Sequence, residues 1–242
     1  MMEFHIFCKP EEVSRYVFCP GSQARAKRIA DKFEDARLVH DDRGIVVYSG
    51  TYQGVFMTAC GTGMGGPAVG IALEELSHLG ADTFIRVGSC GVFQDWQQPG
   101  DVIIPSGTVR AGGTANSYLP LMYPAVPTFT VLRELVESAE ELDIPYTVGV
   151  GVSGDAFYAP GGQSSGDLLK QANIVSVEME SDALFIIGQY RGWRTGAAFT
   201  SDGTAAEIKP DWGWEKYIKG ELDCINISLK AMYTLAMKDH KA

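Results

Sequence analysis

The stretch Phe84-Ile85-Arg86-Val87-Gly88-Ser89-Cys90-Gly91 combines the features that recur along this sequence. Its apolar residues run into closely spaced glycines, which is typical of a strand that is covered on both faces and stops at a backbone turn. Arg86 interrupts the run, and an unpaired charge inside such a strand is costly. We therefore expect Arg86 to meet an anion, either a carboxylate of the protein or the phosphate of a ligand.

Similar apolar runs occur along the whole chain, and amphipathic stretches separate them. The other predicted strands lie at residues 16–19, 55–60, 102–104, 148–150 and 197–200. Apolar stripes of helical period lie at residues 69–79, 131–142 and 222–236, and a shorter helix is expected at 182–190. This alternation predicts one α/β domain over residues 1–242, with a central mixed β-sheet flanked by helices.

Ligands of α/β sheets bind beyond the carboxyl ends of the strands, so the residues that follow each run are candidates for a site. Pro20-Gly21-Ser22-Gln23-Ala24-Arg25 places a glycine and an arginine at the start of a helix, an arrangement that can hold an anion. Taken alone it is more typical of an ordinary turn followed by a surface arginine. Ser89 adds a hydroxyl group and open backbone donors after the strand that contains Arg86.

Three further segments carry polar or aromatic groups at strand ends. In Val177-Glu178-Met179-Glu180, Glu180 can accept hydrogen bonds from a vicinal diol or can simply complement a helix dipole. Asp202, before Gly203, is either a turn former or a general acid in a closed pocket. Phe157 and Tyr158 can stack on a planar base or belong to the core.

Composition excludes several classes of protein. The chain has 242 residues, with 30 acidic against 20 basic side chains and a net charge of −10, which argues against a nucleic-acid binder. It has no basic, apolar leader and no apolar run near the roughly 18 residues of a membrane span. Five cysteines without CxxC spacing favour reduced thiols over a metal site. We expect a cytoplasmic protein that binds no membrane and no metal.

Taken in order, the motifs of this chain resemble the nucleoside phosphorylase family, in its hexameric purine and uridine phosphorylase branch. The resemblance runs from about His5 to Asp202. The matching motifs are Pro20-Gly21 with Arg25, Gly63-Met64-Gly65-Gly66-Pro67, Glu74-Glu75-Leu76, Leu79-Gly80-Ala81, residues 86–91, Pro99-Gly100-Asp101-Val102 and residues 177–180.

The resemblance implies a pentosyltransferase that cleaves the N-glycosidic bond of a nucleoside with inorganic phosphate, giving free base and ribose 1-phosphate. Phosphate is the co-substrate, and no cofactor is implied. The positions that match the phosphate site are Gly21, Arg25, Arg43, Arg86 and Ser89. Those assigned to ribose are His5, Met179 and Glu180, and those assigned to the base are Phe157, Glu178 and Asp202.

The resemblance also implies how the site is shared and which groups are catalytic. Arg43 and His5 match residues that reach into the site of a neighbouring subunit. A dimer is therefore the minimum active unit, and a hexamer built from such dimers is expected. Asp202, as the acid that protonates a purine base, and Arg86, on the phosphate, are expected to be catalytic.

Departures from the family pattern leave alternatives open. Uridine phosphorylases have a glutamine and an arginine after the Phe-Tyr-Pro segment, and here Gln163 has no such arginine nearby. Asp202 favours the purine branch. Lys209 is a candidate helper cation for Asp202, and we expect the aperiodic segment 203–220 to form a flap that tunes the choice of base. The alternatives are a uridine phosphorylase, a nucleosidase that uses water, and a non-catalytic nucleoside-binding protein.

Overall fold

Nine strands form one mixed sheet in the computed structural model, which describes residues 3–158, 163–204 and 214–241, without the side chains of 163–165 and 204. The strands are β1 (Tyr16–Phe18), β2 (Glu34–Asp42), β3 (Ile45–Tyr52), β4 (Val55–Gly61), β5 (Thr83–Val92), β6 (Val102–Ala111), β7 (Tyr146–Gly154), β8 (Ser176–Glu178) and β9 (Arg194–Thr204). The helices are α1 (Gln23–Ala30), α2 (Gly66–His78), α3 (Phe129–Glu141), α4 (Gln163–Gln171), α5 (Ser181–Arg191) and α6 (Trp214–Asp239), with short 3-10 turns at Pro10–Glu12 and Thr114–Ser117.

The sheet closes on itself at one end. Its order is β2-β3-β4-β1-β5-β8-β7-β6-β9, and β9 also pairs with β5 in parallel, so the last five strands form a ring. The sequence analysis placed ligands beyond the carboxyl ends of the strands, a rule that describes open sheets. It did not predict that part of this sheet is closed. The ring closes because β9 pairs with β5 along its length, from Arg194 opposite Thr83 to Thr204 opposite Val92, and with β6 through Phe199 and Thr200.

Helices cover the sheet from both sides, which explains the nearly continuous apolar character of its strands. On one face, α2 and α5 bury their apolar stripes, including Leu73 and Phe185. On the other face, α1, α3 and α6 do the same, with Ile29, Leu135 and Ile225 fully buried. The three predicted amphipathic stripes therefore lie on α2, α3 and α6. In the described ranges, no helix has the length and apolar content needed to cross a bilayer.

The β2–β3 hairpin, helix α4 and the first turns of α6 were not expected from the sequence. Strands β2 and β3 form a hairpin whose two-residue turn, Arg43-Gly44, has positive φ at both positions (52° and 77°), as tight hairpin turns require. Helix α6 begins at Trp214, so residues 214–220 of the predicted flap are helical. Residues 203 and 204 end β9, and residues 205–213 lie outside the described part of the chain.

The beginning of α6 packs directly on the loop before β6. Gly100 in this loop has a φ of +87°, and a Cβ atom on Gly220 would lie 2.2 Å from the Gly100 carbonyl oxygen and 2.4 Å from Thr200 Oγ1. The backbones of α6 and of the loop therefore touch at Gly220. This contact fixes α6 against the end of β9, beside Asp202.

Replacing Gly220 by alanine is expected to lower the free energy of unfolding by about 1–3 kcal/mol, because the added methyl group overfills this contact. Denaturant unfolding measures the change. Gly166→Ala, in α4, is the control: nothing lies within 4 Å of its added Cβ atom, so this variant should be unchanged or slightly more stable. Equal stability of the two variants would contradict the tight approach of α6 to Gly100.

Candidate active site

Three parallel strands bring the candidate residues to one edge of the sheet. β1 pairs with β5, and β5 pairs with β9, so their carboxyl ends lie side by side. Gly21 follows β1, Ser89 lies near the end of β5 opposite Thr200, and Asp202 lies near the end of β9. The sequence-based prediction that residues after these strands meet in space agrees with this arrangement.

Arg86 lies at the centre of this edge and is only 4% exposed. Its Nε donates to Glu178 Oε2 at 2.9 Å, its Nη2 pairs with Glu180, and its guanidinium carbon lies 5.6 Å from the centre of the Phe199 ring. Burial lowers the pKa of the guanidinium, but Glu180 and Glu178 outweigh burial, so its pKa is raised. The anionic partners that the sequence required are thus two carboxylates of the protein.

One end of the Arg86 guanidinium has no such partner. Its Nη1 is buried and has no hydrogen-bond acceptor among the described residues. A Cβ atom on Gly21 would lie 3.7 Å from this nitrogen, so the lack of a side chain at Gly21 leaves the backbone close to the donor. Gly88 likewise makes room, because its Cβ atom would lie 3.2 Å from the guanidinium carbon. A buried donor without an acceptor suits an anionic ligand.

Arg25 approaches the same edge from α1. Ser22 caps this helix by accepting a hydrogen bond from the Arg25 backbone N–H at 3.3 Å. The Arg25 side chain is 5% exposed, and its Nη1 donates to the Val87 carbonyl oxygen at 3.2 Å. Val87 is the neighbour of Arg86, so the two arginines converge at the carboxyl ends of β1 and β5.

Glu178 is fully occupied by its own surroundings. Besides the contact with Arg86, its oxygens accept hydrogen bonds from the backbone N–H groups of Glu180 and Ser181 and from the Ser181 hydroxyl at 2.6 Å. Burial opposes ionisation, but Arg86 and these donors outweigh it and hold the pKa of Glu178 below its usual value. These contacts assign Glu178 to holding Arg86 and the start of α5. The assignment of Glu178 to the base stays a prediction that they do not support.

Glu180 stands directly before α5 and is 3% exposed. Its Oε1 accepts from the Gly65 backbone N–H at 2.5 Å, and its Oε2 pairs with Arg86. Burial and the neighbouring Glu178 carboxylate raise the pKa of Glu180, although Arg86 acts in the opposite direction. Each carboxylate oxygen can accept more than one hydrogen bond, so Glu180 can still accept from sugar hydroxyls. Met179, beside it, is half-buried.

The two other residues assigned to the base lie on different elements. Asp202, on β9, is half-buried. The pKa of Tyr217, on α6, is raised, mainly by burial and to a smaller extent by the negative charge of Asp202. Asp202 therefore lies close enough to α6 to interact with it electrostatically. Phe157 follows β7 and is 63% exposed, with its ring centre 4.9 Å from that of Tyr158.

His5 and Arg43 lie beside an open cavity next to Gly21, since a Cβ atom on Gly21 would lie 3.1 Å from the carbonyl oxygen of Gly63, which also lines this cavity. Both line this cavity of about 410 Å³ together with Gln23, Thr62 and Gly63. His5 is held there by Glu75, which accepts from the His5 backbone N–H at 2.9 Å and lies 2.6 Å from its Nδ1. In the described part of the chain no hydrogen bond or ion pair joins His5 or Arg43 to Arg25 or Arg86. Their contact with a neighbouring subunit's site stays a prediction.

The structure adds residues to which the sequence analysis gave no role. Gly65 holds Glu180, and Tyr217 and Glu221 of α6 contact Arg25. One signal was available in the sequence: Glu221 lies one helical turn before Cys224 and Ile225, on the buried face of α6, where a carboxylate requires a cationic partner.

Lys209 and residues 159–162 lie outside the described residues, as does the side chain of Gln163.

The known proteins with which this chain is compared by sequence are all phosphorylases. A sequence profile of the phosphorylase superfamily matches residues 15–215. The chain is 39% identical over 207 residues to a uridine phosphorylase of Thermococcus kodakarensis, covering 81% of this chain and 75% of the relative. It is 38% identical over 199 residues to a guanosine phosphorylase of Halorubrum lacusprofundi, covering 82% of each chain.

Two further similarities extend over nearly the whole chain. A DeoD-type purine nucleoside phosphorylase of Streptococcus suis is 30% identical over 234 residues, covering 96% of this chain and 99% of the relative. The crystal structure of a uridine phosphorylase of Vibrio fischeri in complex with 6-hydroxy-1-naphthoic acid superimposes with a TM-score of 0.91 and 31% identity, over 96% of this chain and 97% of that one.

Proposed function

The chain belongs to the phosphorylase superfamily, within its nucleoside phosphorylases, and we propose on this basis that it cleaves purine nucleosides with inorganic phosphate. The products are the free base and ribose 1-phosphate. The reaction replaces the C–N glycosidic bond by a C–O bond to phosphate, so it needs no cofactor.

The observation that carries this proposal is the arrangement of Arg86. Two buried carboxylates neutralise and orient its guanidinium, while Nη1 is left without an acceptor beside Gly21. In the proposed reaction Nη1 donates to phosphate, together with Arg25 and the backbone after β1. A guanidinium suits this task because its planar donors match two oxygens of one phosphate group.

Phosphate held at this place has a catalytic effect as well as a binding one. The transition state of glycosyl transfer resembles an oxocarbenium ion. A phosphate positioned on the face of the sugar opposite the base stabilises this cation through its own negative charge. The arginines therefore bring the nucleophile close and orient it, which lowers the entropic part of the barrier.

The remaining assigned residues act on the sugar and the base. Glu180 accepts hydrogen bonds from the ribose 2′- and 3′-hydroxyls, and Met179 packs beside the sugar. Asp202 donates a proton to N7 of the purine, so that the base leaves as a neutral molecule. Phe157 contacts the base. The position of Asp202 near the end of β9, on the same sheet edge as Arg86, supports this division of roles.

Uridine is a second candidate substrate, because relatives 39% identical to this chain are uridine phosphorylases. A pyrimidine has no N7, so Asp202 would have no proton acceptor of this kind in uridine.

We propose also that copies of the chain share sites in a hexamer built from dimers, acting in cytoplasmic purine salvage. The exposure of Arg43 and the surface position of His5 support the shared site.

A substrate panel tests the proposed reaction. Inosine, guanosine, adenosine and uridine are each incubated with and without inorganic phosphate, and free base and ribose 1-phosphate are quantified. We expect cleavage of the purine nucleosides to depend on phosphate and to exceed that of uridine. Faster cleavage of uridine would select the second candidate. Full-rate cleavage without phosphate would show a nucleosidase, and tight inosine binding without turnover would show a binding protein.

A further inference from the structure

The Arg25 side chain is held from α6, an element far from it in sequence. Its Nε donates to Glu221 Oε2 at 2.7 Å, and its Nη2 donates to the Tyr217 hydroxyl at 2.7 Å. With the bond from Nη1 to the Val87 carbonyl, three of the five N–H donors of the guanidinium have acceptors. Among the described residues, the other two donors, one on Nη1 and one on Nη2, have no acceptor and can meet a ligand.

Glu221 is more deeply buried than its partners. It is 1% exposed, and its second oxygen, Oε1, lies 2.5 Å from Nε of Arg28, one turn further along α1. A carboxylate at this depth requires cationic partners, and two arginines of α1 provide them. Arg25 is the buried one of the two, whereas the Arg28 side chain is 39% exposed.

α6 is itself fixed at this point. Gly220, the residue before Glu221, touches the Gly100 backbone so closely that no side chain fits between them. Within α6, the Tyr217 ring stacks on Trp214 at 5.5 Å, which restrains the Tyr217 side chain. Glu221 and Tyr217 therefore present their oxygens to Arg25 from a helix that is held in place by its approach to Gly100.

We propose that Glu221 is a positioning residue of the phosphate site, which with Tyr217 fixes the Arg25 guanidinium so that its two remaining donors face the oxyanion. This inference rests on the proposed function of the site. Without Glu221, the Arg25 side chain loses its charged anchor and samples other rotamers, so phosphate binding includes the entropic cost of ordering it. The sugar and base contacts do not involve Glu221, so nucleoside binding is unaffected.

The test compares Glu221→Gln with Glu134→Gln. Glu134 is a matched control, since it is 2% exposed on α3 and pairs with Lys238 and Arg133, away from the site. Calorimetry gives the phosphate dissociation constant without turnover, and steady-state kinetics give the KM values for phosphate and nucleoside. We expect Glu221→Gln to raise both phosphate constants about tenfold and to leave the nucleoside KM within about twofold. Glu134→Gln should affect stability only.

Tyr217→Phe is the second variant, because the loss of one hydroxyl group disturbs the fold less than a change at the buried Glu221 carboxylate. It should weaken phosphate binding about threefold, since one neutral hydrogen bond is lost. Phosphate constants that rise no more in Glu221→Gln and Tyr217→Phe than in Glu134→Gln would overturn the positioning role and leave the proposed function intact. Phosphate-independent cleavage by the wild type would instead overturn the proposed function, while calorimetry still decides the role of Glu221. Absence of phosphate binding to the wild type would overturn both.

Discussion

Replacing Asp202 by asparagine is expected to slow the phosphorolysis of a purine nucleoside by about 10²–10⁴-fold, because the asparagine amide is too weak an acid to protonate the leaving base. The amide has nearly the same shape as the carboxyl group, so the fold and the phosphate site should be retained. The phosphate dissociation constant should change by less than about twofold, since Asp202 is not assigned to phosphate. Steady-state rates with inosine and calorimetry with phosphate provide the two measurements.

Two comparisons make this result specific. Asp101→Asn is the matched control, because the Asp101 backbone N–H donates to the Ser201 hydroxyl beside Asp202, at 3.0 Å, and its carboxylate accepts from the Gln98 N–H at 2.8 Å. This variant should retain the rate. Any residual cleavage of uridine should be much less sensitive to Asp202→Asn than cleavage of inosine. Parallel loss of turnover and phosphate binding would argue against Asp202 as the acid.

Replacing Arg86 by lysine is expected to weaken phosphate binding by about 10–100-fold, which corresponds to one charge-assisted hydrogen bond of about 1.5–3 kcal/mol. Lysine keeps the positive charge near Glu178 and Glu180, but it cannot contact both carboxylates and still direct a third donor toward Gly21. The rate at saturating phosphate should fall as well, because the nucleophile is less well oriented. The phosphate dependence of the rate measures both effects.

Arg86→Ala is expected to destabilise the fold as well as to remove a phosphate donor. This change leaves Glu178 and Glu180 buried without their cation, which should cost about 3–5 kcal/mol of folding free energy, as measured by denaturant unfolding.

Arg194→Lys is the control for Arg86→Lys, because it also replaces a guanidinium by an ammonium group. Arg194 pairs with Asp239 at the start of β9, at the opposite end of the strand from Asp202. An unchanged phosphate requirement in Arg86→Lys would contradict the role of Arg86 as a phosphate ligand.

Much of the fold could be predicted because its signals are local. The apolar runs became strands and the three apolar stripes became α2, α3 and α6, since burial on one or both faces leaves a periodic record in the sequence. The β2–β3 hairpin could not be predicted in the same way. β2 is mostly exposed, so its sequence lacks the alternation or apolar run that identifies a strand.

The candidate site was less predictable than the fold. The sequence alone indicated that Arg86 needs an anion and that residues after strands β1, β5 and β9 are candidates for chemistry. It could not indicate which anionic group pairs with Arg86. For this reason the sequence analysis assigned Glu178 to the base, whereas the structure pairs Glu178 with Arg86. The Glu178 carboxylate has the right type and location for a ligand contact, but its hydrogen bonds are taken by Arg86 and Ser181.

The sequence by itself determined most of the strands and helices, and it showed which charged side chains within them need a partner because burial without one costs free energy. Only the tertiary structure decided how those charges are paired: Arg86 with Glu178 and Glu180, which are 92 and 94 residues away, and Arg25 with Glu221, 196 residues away. The reason is physical. Periodicity reflects the burial of each element on its own, whereas the partner of a buried charge depends on which distant segments the closed sheet and its covering helices bring together.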